Sequence, residues 1–134
     1  MHKNIAVLAG DGIGPEIISE TIKVLQAVAK KYHHSFTYEH ALIGAVAIDK
    51  TGNPLPDKTL EICKSSDAIL FGAIGDPKYD NDPNAKVRPE QGLLALRKAF
   101  NLYCNVRPVT VYDSLIDSSP LKRNLIEGVD LVIY

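Results

Sequence analysis

The sequence predicts an α/β fold in which a parallel or mixed sheet is flanked by helices. Three observations support this fold class. Residues 5–9 form a continuous apolar run, residues 15–32 carry apolar side chains at helical spacing, and residues 35–42 alternate as a second strand would. An unbroken apolar strand indicates burial on both faces, and a strand–helix–strand unit favours parallel pairing.

The first elements are set by glycine and proline positions. Residues 10–14 contain three glycines and must form a turn, and Pro15 suits the first position of the helix over residues 15–32. Residues 44–56 are predicted as a loop, because Gly52 and Pro54 interrupt them. The apolar side of the helix is formed by residues three or four positions apart, namely Ile18, Ile22, Leu25, Ala29 and Tyr32.

The later elements are two short helices, three strands and one long loop. Residues 56–63 predict a helix, residues 67–73 a buried strand, and residues 75–89 a polar loop with three prolines that is functional or disordered. A helix over residues 91–99, an alternating strand over residues 102–107 and an apolar strand over residues 129–133 follow. The last strand has no following crossover, so the fold is expected to be incomplete in this chain.

Charge and composition exclude several classes of protein. The net charge of −1 gives no electrostatic case for nucleic-acid binding, and the apolar runs are too short for a signal-peptide core or a membrane span. Cys63 and Cys104 have no metal or redox spacing. We expect both to be reduced, buried thiols in a cytoplasmic protein.

The glycine-rich turn over residues 10–14 does not match a known phosphate-binding pattern. The dinucleotide motif requires G-x-G-x-x-G, and here the third glycine comes one position too early. Pro15 also removes an amide that a phosphate would use, although other amides at the helix end could bind an anion. A tight structural turn and a ligand-facing turn are equally compatible with the residues.

The long loop contains an acidic cluster whose spacing partly resembles a calcium-binding loop. It consists of Asp76, Asp80, Asp82 and Asn84. Counting from Asp80, Ala85 stands where the calcium loop requires glycine and Gln91 where it requires glutamate. The pattern therefore favours a solvated loop.

Two arginines and two leucines form a candidate anion site. Leu93 and Leu94 precede Arg97 by four and three positions, so the three side chains approach one side of a helix. Arg97 could simply extend from an amphipathic face to solvent. Alternatively, Arg97 and Arg107 could converge on a dicarboxylate, because a guanidinium binds a carboxylate in bidentate fashion, with the leucines as an apolar wall.

Several stretches, taken in order, resemble the β-decarboxylating dehydrogenase family, which includes isocitrate, isopropylmalate, homoisocitrate and tartrate dehydrogenases. They are residues 9–16 (AGDGIGPE), 72–79 (GAIGDPKY), 88–98 (RPEQGLLALRK), 105–108 (NVRP), 119–122 (SPLK) and 128–133 (GVDLVI). The resemblance implies NAD-dependent oxidation of a 2-hydroxy acid followed by decarboxylation, with Mg²⁺ or Mn²⁺. Isocitrate enzymes place a serine in the segment where this chain has Gly92-Leu93-Leu94, which favours 3-isopropylmalate as substrate.

The resemblance also assigns site residues. Arg97 and Arg107 match arginines that bind the malate carboxylates, and Leu93 and Leu94 match the pocket for the isopropyl group. The residues expected beside the cofactor are Ile13, Gly75, Asp76, Pro77, Lys78 and Glu90. The metal ligands and the catalytic tyrosine and lysine are expected beyond residue 134. No catalytic or metal-binding residue is therefore assigned here, and residues 1–134 alone are predicted to be inactive.

The resemblance implies a domain organisation and a partner as well. Residues 1–101 would be the amino-terminal part of a discontinuous first α/β domain, and residues 102–134 the first strands of a second, dimerisation domain. The full-length protein would be a cytoplasmic homodimer of leucine biosynthesis. A sister dehydrogenase acting on tartrate, homoisocitrate or isocitrate, and a short non-catalytic subunit, are the alternatives.

Overall fold

A computed structural model describes residues 1–81 and 85–134, in two units, Met1–Asn101 and Leu102–Tyr134. The first unit contains β1 (His2–Gly10), α1 (Gly14–Tyr32), β2 (Ser35–His40), α2 (Ala45–Thr51), α3 (Asp57–Ser65), β3 (Ala68–Ala73), α4 (Pro77–Asp80) and α5 (Pro89–Ala99). The second contains β4 (Arg107–Thr110), a 3₁₀ helix (Asp113–Ser118), α6 (Arg123–Ile126) and β5 (Asp130–Ile133).

The sheet of the first unit is parallel, as predicted. Its strand order is β2-β1-β3, and Val7 of the central strand lies between His40 and Leu70 in the register. Parallel neighbours need crossover connections, and α1 and α3 supply helices for them. The α/β class and the parallel sheet flanked by helices are therefore confirmed.

Helices cover β1 on both faces, which explains its unbroken apolar sequence. Side chains alternate along a strand, so Ile5 and Val7 pack with Ile18 of α1 on one face. On the other face Ala6 and Leu8 join a cluster that includes Ile43, Leu55, Ile62, Cys63 and Leu96. Val7 and Leu8 are fully buried, which stabilises each by about 1.5–3 kcal/mol relative to exposure.

The loop predicted over residues 44–56 was partly wrong, because it contains α2. Gly44 precedes this helix with φ +79°, and Gly52 ends it in the left-handed region with φ +75°. The glycines that suggested an irregular segment are thus the start and stop of a seven-residue helix. Likewise, the predicted loop over residues 75–89 contains the short helix α4.

The strand predicted over residues 102–107 was also wrong. Residues 102–106 have no regular structure, and the strand begins only at Arg107. The partner strand β5 has four residues and pairs antiparallel from Arg107↔Ile133 to Thr110↔Asp130. Within residues 1–81 and 85–134, no strand pairs with residues 102–106, so side-chain alternation alone did not predict the strand correctly.

The second unit has a small apolar centre. Ile116 of the 3₁₀ helix and Ile126 of α6 are buried, whereas every residue of β4 and β5 is exposed. Cys104 is exposed as well, so the prediction of two buried thiols holds only for Cys63. Burial raises the pKa of the Cys63 thiol, which keeps it protonated.

Candidate functional site

The candidate site lies at the carboxyl ends of the parallel strands. The chain leaves β1 towards β2 on one side, and β3 then lies on the opposite side of β1. In open α/β sheets ligands bind outside the carboxyl ends of the strands at such a reversal. Two segments meet there: the turn over residues 10–14 after β1, and residues 74–76 after β3.

The glycines of the turn permit a close approach of β1, β3 and α1. Gly10 has φ +71°, and a Cβ on it would lie 1.9 Å from the carbonyl oxygen of Ala73. A Cβ on Gly14 would lie 2.0 Å from the carbonyl oxygen of Ala9. Both contacts are with backbone, which cannot move aside as a side-chain end could. The turn is therefore structural at these two positions.

Asp11 binds three backbone N–H groups from two other segments. Its buried carboxylate accepts from Ala45 N at 2.8 Å, Val46 N at 2.9 Å and Gly75 N at 3.1 Å. Asp11 thus caps α2 and also fixes the start of the segment after β3. This role could not be predicted from the sequence, because all three partners are more than thirty positions away.

The outer side of the turn is open to solvent. Gly12 and Ile13 are exposed, and the Ile13 side chain retains 58% of its accessible surface. The sequence was compatible with a tight structural turn and with a ligand-facing turn. Gly10, Asp11 and Gly14 have structural roles in the turn. Ile13 lies in the turn at the carboxyl edge of the sheet, and its role beside the cofactor stays a prediction.

Gly75 and Glu90 are neighbours, although they are fifteen positions apart. Gly75 has φ +125°, and a Cβ on it would lie 3.3 Å from Oε1 of Glu90. The Asp76 carboxylate accepts from Lys78 N at 3.0 Å and caps α4, in which Pro77 is the first residue. The structure therefore brings most of the residues expected beside the cofactor to one edge of the sheet.

Lys78 and Tyr79 both contact Asp49 of α2. The Lys78 ammonium forms an ion pair with Asp49, and the Tyr79 hydroxyl donates to the other oxygen at 2.7 Å. The bond from Lys78 is the main reason that the pKa of Asp49 lies below its usual value, and the same bond raises the pKa of Lys78. The Lys78 ammonium is therefore already bound to a carboxylate.

One side of α5 carries the predicted substrate residues. Gly92 and Leu96 are buried, and a Cβ on Gly92 would lie 2.5 Å from the carbonyl oxygen of Pro54. Leu93 and Arg97 are half-buried, and Leu94 is 62% exposed. The close packing at Gly92 thus holds α5 so that the two leucines and the arginine share an accessible side.

Arg107 belongs to the second unit, where it begins β4 and is exposed. Its convergence with Arg97 of the first unit stays a prediction. In the acidic cluster, Asp76 caps α4 and Asp80 lies 3.9 Å from Arg88 Nη1, whereas Asp82 and Asn84 lie outside the described residues.

Residues 1–81 and 85–134 contain neither a cluster of metal-binding side chains nor a membrane-spanning helix. No group of three or more histidine, cysteine, aspartate or glutamate side chains in these ranges could hold a metal ion. In the same part of the chain, no helix has the length and apolar character needed to cross a membrane.

Two clefts in the first unit differ in their relation to this edge. One of about 260 Å³ adjoins the turn and is lined by residues that include Gly10, Pro15, His40 and Val46. A cleft of about 470 Å³ is lined by Asn4, Ile5, Thr37, Tyr38, Glu39, Ser65 and Ser66, and contains none of the predicted site residues. Its serine and threonine hydroxyls already donate within the protein, so the carboxyl edge is the better candidate.

Comparisons with known proteins agree with the resemblance seen in the sequence. The family model described as isocitrate/isopropylmalate dehydrogenase matches residues 4–134. The chain is 55% identical over 132 residues to a 3-isopropylmalate dehydrogenase of Bacteroides fragilis, and 58% identical over 133 residues to one of Halalkalibacterium halodurans. These matches cover 98% and 99% of the chain but 37% and 36% of the relatives.

Solved structures lead to the same family. A β-decarboxylating dehydrogenase from Thermococcus kodakarensis is 32% identical with a TM-score of 0.68, over 99% of this chain and 33% of that one. An isocitrate dehydrogenase from Methylococcus capsulatus is 30% identical with a TM-score of 0.69, over 98% and 33%. The chain spans about a third of the length of the relatives it matches, and it belongs to the isocitrate/isopropylmalate dehydrogenase family.

Proposed function

We propose that the full-length protein catalyses the NAD-dependent oxidative decarboxylation of 3-isopropylmalate to 4-methyl-2-oxopentanoate, a step of leucine biosynthesis. Family membership and the similarity to 3-isopropylmalate dehydrogenases support the reaction class. The single observation that carries the choice of substrate is the accessible side of α5, where Leu94 is exposed beside half-buried Leu93 and Arg97.

This arrangement suits a substrate with two carboxylates and one branched alkyl group. The guanidinium of Arg97 can bind a carboxylate through two parallel hydrogen bonds, and Arg107 is proposed to bind the other carboxylate. Leu93 and Leu94 offer only hydrocarbon. An isopropyl group would be buried favourably against them, whereas the third carboxylate of isocitrate would lose its hydrogen-bond partners.

The carboxyl edge of the sheet suits the nicotinamide side of NAD. Gly75 has no side chain to block an approach, and the exposed Glu90 carboxylate beside it can accept hydrogen bonds from ribose hydroxyls. Ile13, Asp76, Pro77 and Lys78 are proposed to line the same region. When bound, NAD would accept the hydride, and Mg²⁺ or Mn²⁺ would stabilise the developing oxyanion.

The metal ligands are proposed to follow residue 134 in the full-length protein, as the family resemblance implies. The same proposal extends to the domains. Residues 1–101 belong to a discontinuous first domain, and residues 102–134 begin a second domain through which a cytoplasmic homodimer forms.

The substrate wall can be tested with Leu94→Ala in the full-length protein, produced from the complete reading frame that contains this chain. Truncation removes part of the surface that the isopropyl group would cover, so the KM for 3-isopropylmalate should rise at least about tenfold. The KM for NAD should not change. Initial rates of NADH formation measure both constants.

The matched control is Val24→Ala on α1, since Val24 is 61% exposed and Leu94 is 62% exposed. The control should leave the KM for 3-isopropylmalate unchanged. Equal KM values in the two variants would contradict the assignment of Leu94 to the substrate pocket.

A further inference from the structure

The helix α2 is attached at both ends to the segment that follows β3. At its start, Ala45 N and Val46 N donate to Asp11, which also accepts from Gly75 N. Near its end, Asp49 contacts Lys78 and Tyr79. One short helix therefore fixes both the beginning and the end of the stretch over residues 75–79.

The Asp49 contact is more than a single surface ion pair. Lys78 and Asp49 retain 48% and 46% of their side-chain surface, and an isolated exposed pair contributes little to stability. Here, however, two consecutive residues bond the same carboxylate, one through each oxygen. Because Lys78 and Tyr79 both lie in α4, their contacts restrict the rotation and position of this short helix.

The backbone of this stretch depends on that restraint. Gly75 has a φ of +125°, which is open to a glycine but leaves the chain free to adopt other conformations. Asp76 caps α4, and the Tyr79 carbonyl accepts from Arg88 Nη1 at 3.2 Å. A displacement of α4 would therefore move the backbone beside Glu90 and the residue just before α5.

We infer that Asp49 is a positioning residue for cofactor binding: by holding Lys78 and Tyr79 it keeps residues 75–80 in the conformation that receives the nicotinamide half of NAD. The inference rests on the proposed function. It also gives the Lys78 ammonium a role in addition to the proposed place of Lys78 beside the cofactor, because this group is bound to Asp49.

The inference is tested with Asp49→Ala in the full-length protein. If the segment then holds the binding conformation about a fifth of the time, the KM for NAD rises about fivefold while kcat stays within about twofold. Lys78→Met should raise the KM for NAD in the same way, and the double variant should be no worse than either single variant. Hydrogen exchange of the amides over residues 75–81 should become faster in all three.

The matched control is Asp67→Ala. Asp67 accepts from Lys3 Nζ at 2.7 Å and from Asn4 N at 2.8 Å, so it also receives two donors, at the amino ends of β1 and β3. Loss of this pair should affect stability but neither the KM for NAD nor exchange over residues 75–81. An unchanged KM in Asp49→Ala, or the same increase in Asp67→Ala, would overturn the inference.

Failure of the inference and failure of the proposed function give different results. If the unaltered protein turns over 3-isopropylmalate and the Asp49 variants bind NAD normally, only the inference fails. If the unaltered protein has no dehydrogenase activity, the proposed function fails. Hydrogen exchange over residues 75–81 then still tests whether Asp49 restrains this segment. Unchanged exchange in Asp49→Ala would overturn the inferred restraint as well.

Discussion

At the scale of single residues, the Asp11 carboxylate connects the turn after β1 with the start of α2 and with the segment after β3. Its position between two glycines predicts a turn, which is correct, but its three donors come from residues 45, 46 and 75. Such contacts follow from the folded path of the chain. Gly75 and Glu90 lie close together at the carboxyl edge, and their role beside the cofactor stays a prediction.

Replacement of Asp11 by alanine should destabilise the protein. Three N–H groups would lose their acceptor, and each unsatisfied buried donor costs about 1–3 kcal/mol, with some recovered by water. We expect the free energy of unfolding of the full-length protein to fall by about 3 kcal/mol, measured by urea denaturation. Glu61→Ala, an exposed position on α3, is the control and should change it by less than about 0.5 kcal/mol. A loss of under about 1 kcal/mol in Asp11→Ala would contradict this account.

The decrease in the free energy of unfolding at acidic pH should depend on the ion pairs of Asp49 and Asp67. Lysine hydrogen bonds lower the pKa of both carboxyls in the folded state, so their stabilisation is present above the unfolded pKa of about 4. It is lost as the pH falls through the lower, folded values. The double variant Asp49→Asn, Asp67→Asn should therefore be less stable than the unaltered protein at pH 6 and nearly equal to it at pH 2. Urea denaturation at both values measures this, and a difference that grows on acidification would contradict it.

At the scale of elements, the sequence correctly predicts helices and strands with a buried, periodic apolar pattern. It does not predict elements whose bounds depend on contacts with distant segments. The strand β1 and the helix α1 were correct, because their apolar patterns match the layers that cover them. The helix α2 was missed because it is short and is capped by Asp11 from another segment. The strand over residues 102–107 was misplaced because side-chain alternation does not show which residues form hydrogen bonds with another strand, and here pairing begins at Arg107.

The position of α5 depends on Gly92. A methyl group there would lie 2.5 Å from the Pro54 carbonyl oxygen, which also accepts from Gly44 N at 2.9 Å. Alanine favours a helix by about 1 kcal/mol over glycine, but overpacking typically costs about 1–3 kcal/mol. Because the blocking group is bonded backbone, we expect Gly92→Ala to lower the free energy of unfolding by about 1–2 kcal/mol. Lys98→Ala on the exposed side of α5 is the control, and a stabilised Gly92→Ala variant would show that α5 does not pack as described.

At the scale of the whole molecule, the two units differ in how much apolar surface they bury. The first has apolar clusters on both faces of its sheet, whereas the β4–β5 ladder of the second exposes 43–52% of Leu131, Val132 and Ile133. A two-stranded ladder alone is marginally stable in water. That residues 102–134 begin a second, larger domain stays a proposal.

The most direct test of the proposed function is the substrate preference of the full-length protein. Values of kcat/KM should be measured for 3-isopropylmalate, isocitrate and tartrate with NAD and Mg²⁺. An apolar wall at Leu93 and Leu94 predicts a preference for 3-isopropylmalate over isocitrate of at least about a hundredfold. Equal values, or faster turnover of isocitrate or tartrate, would contradict the proposed function.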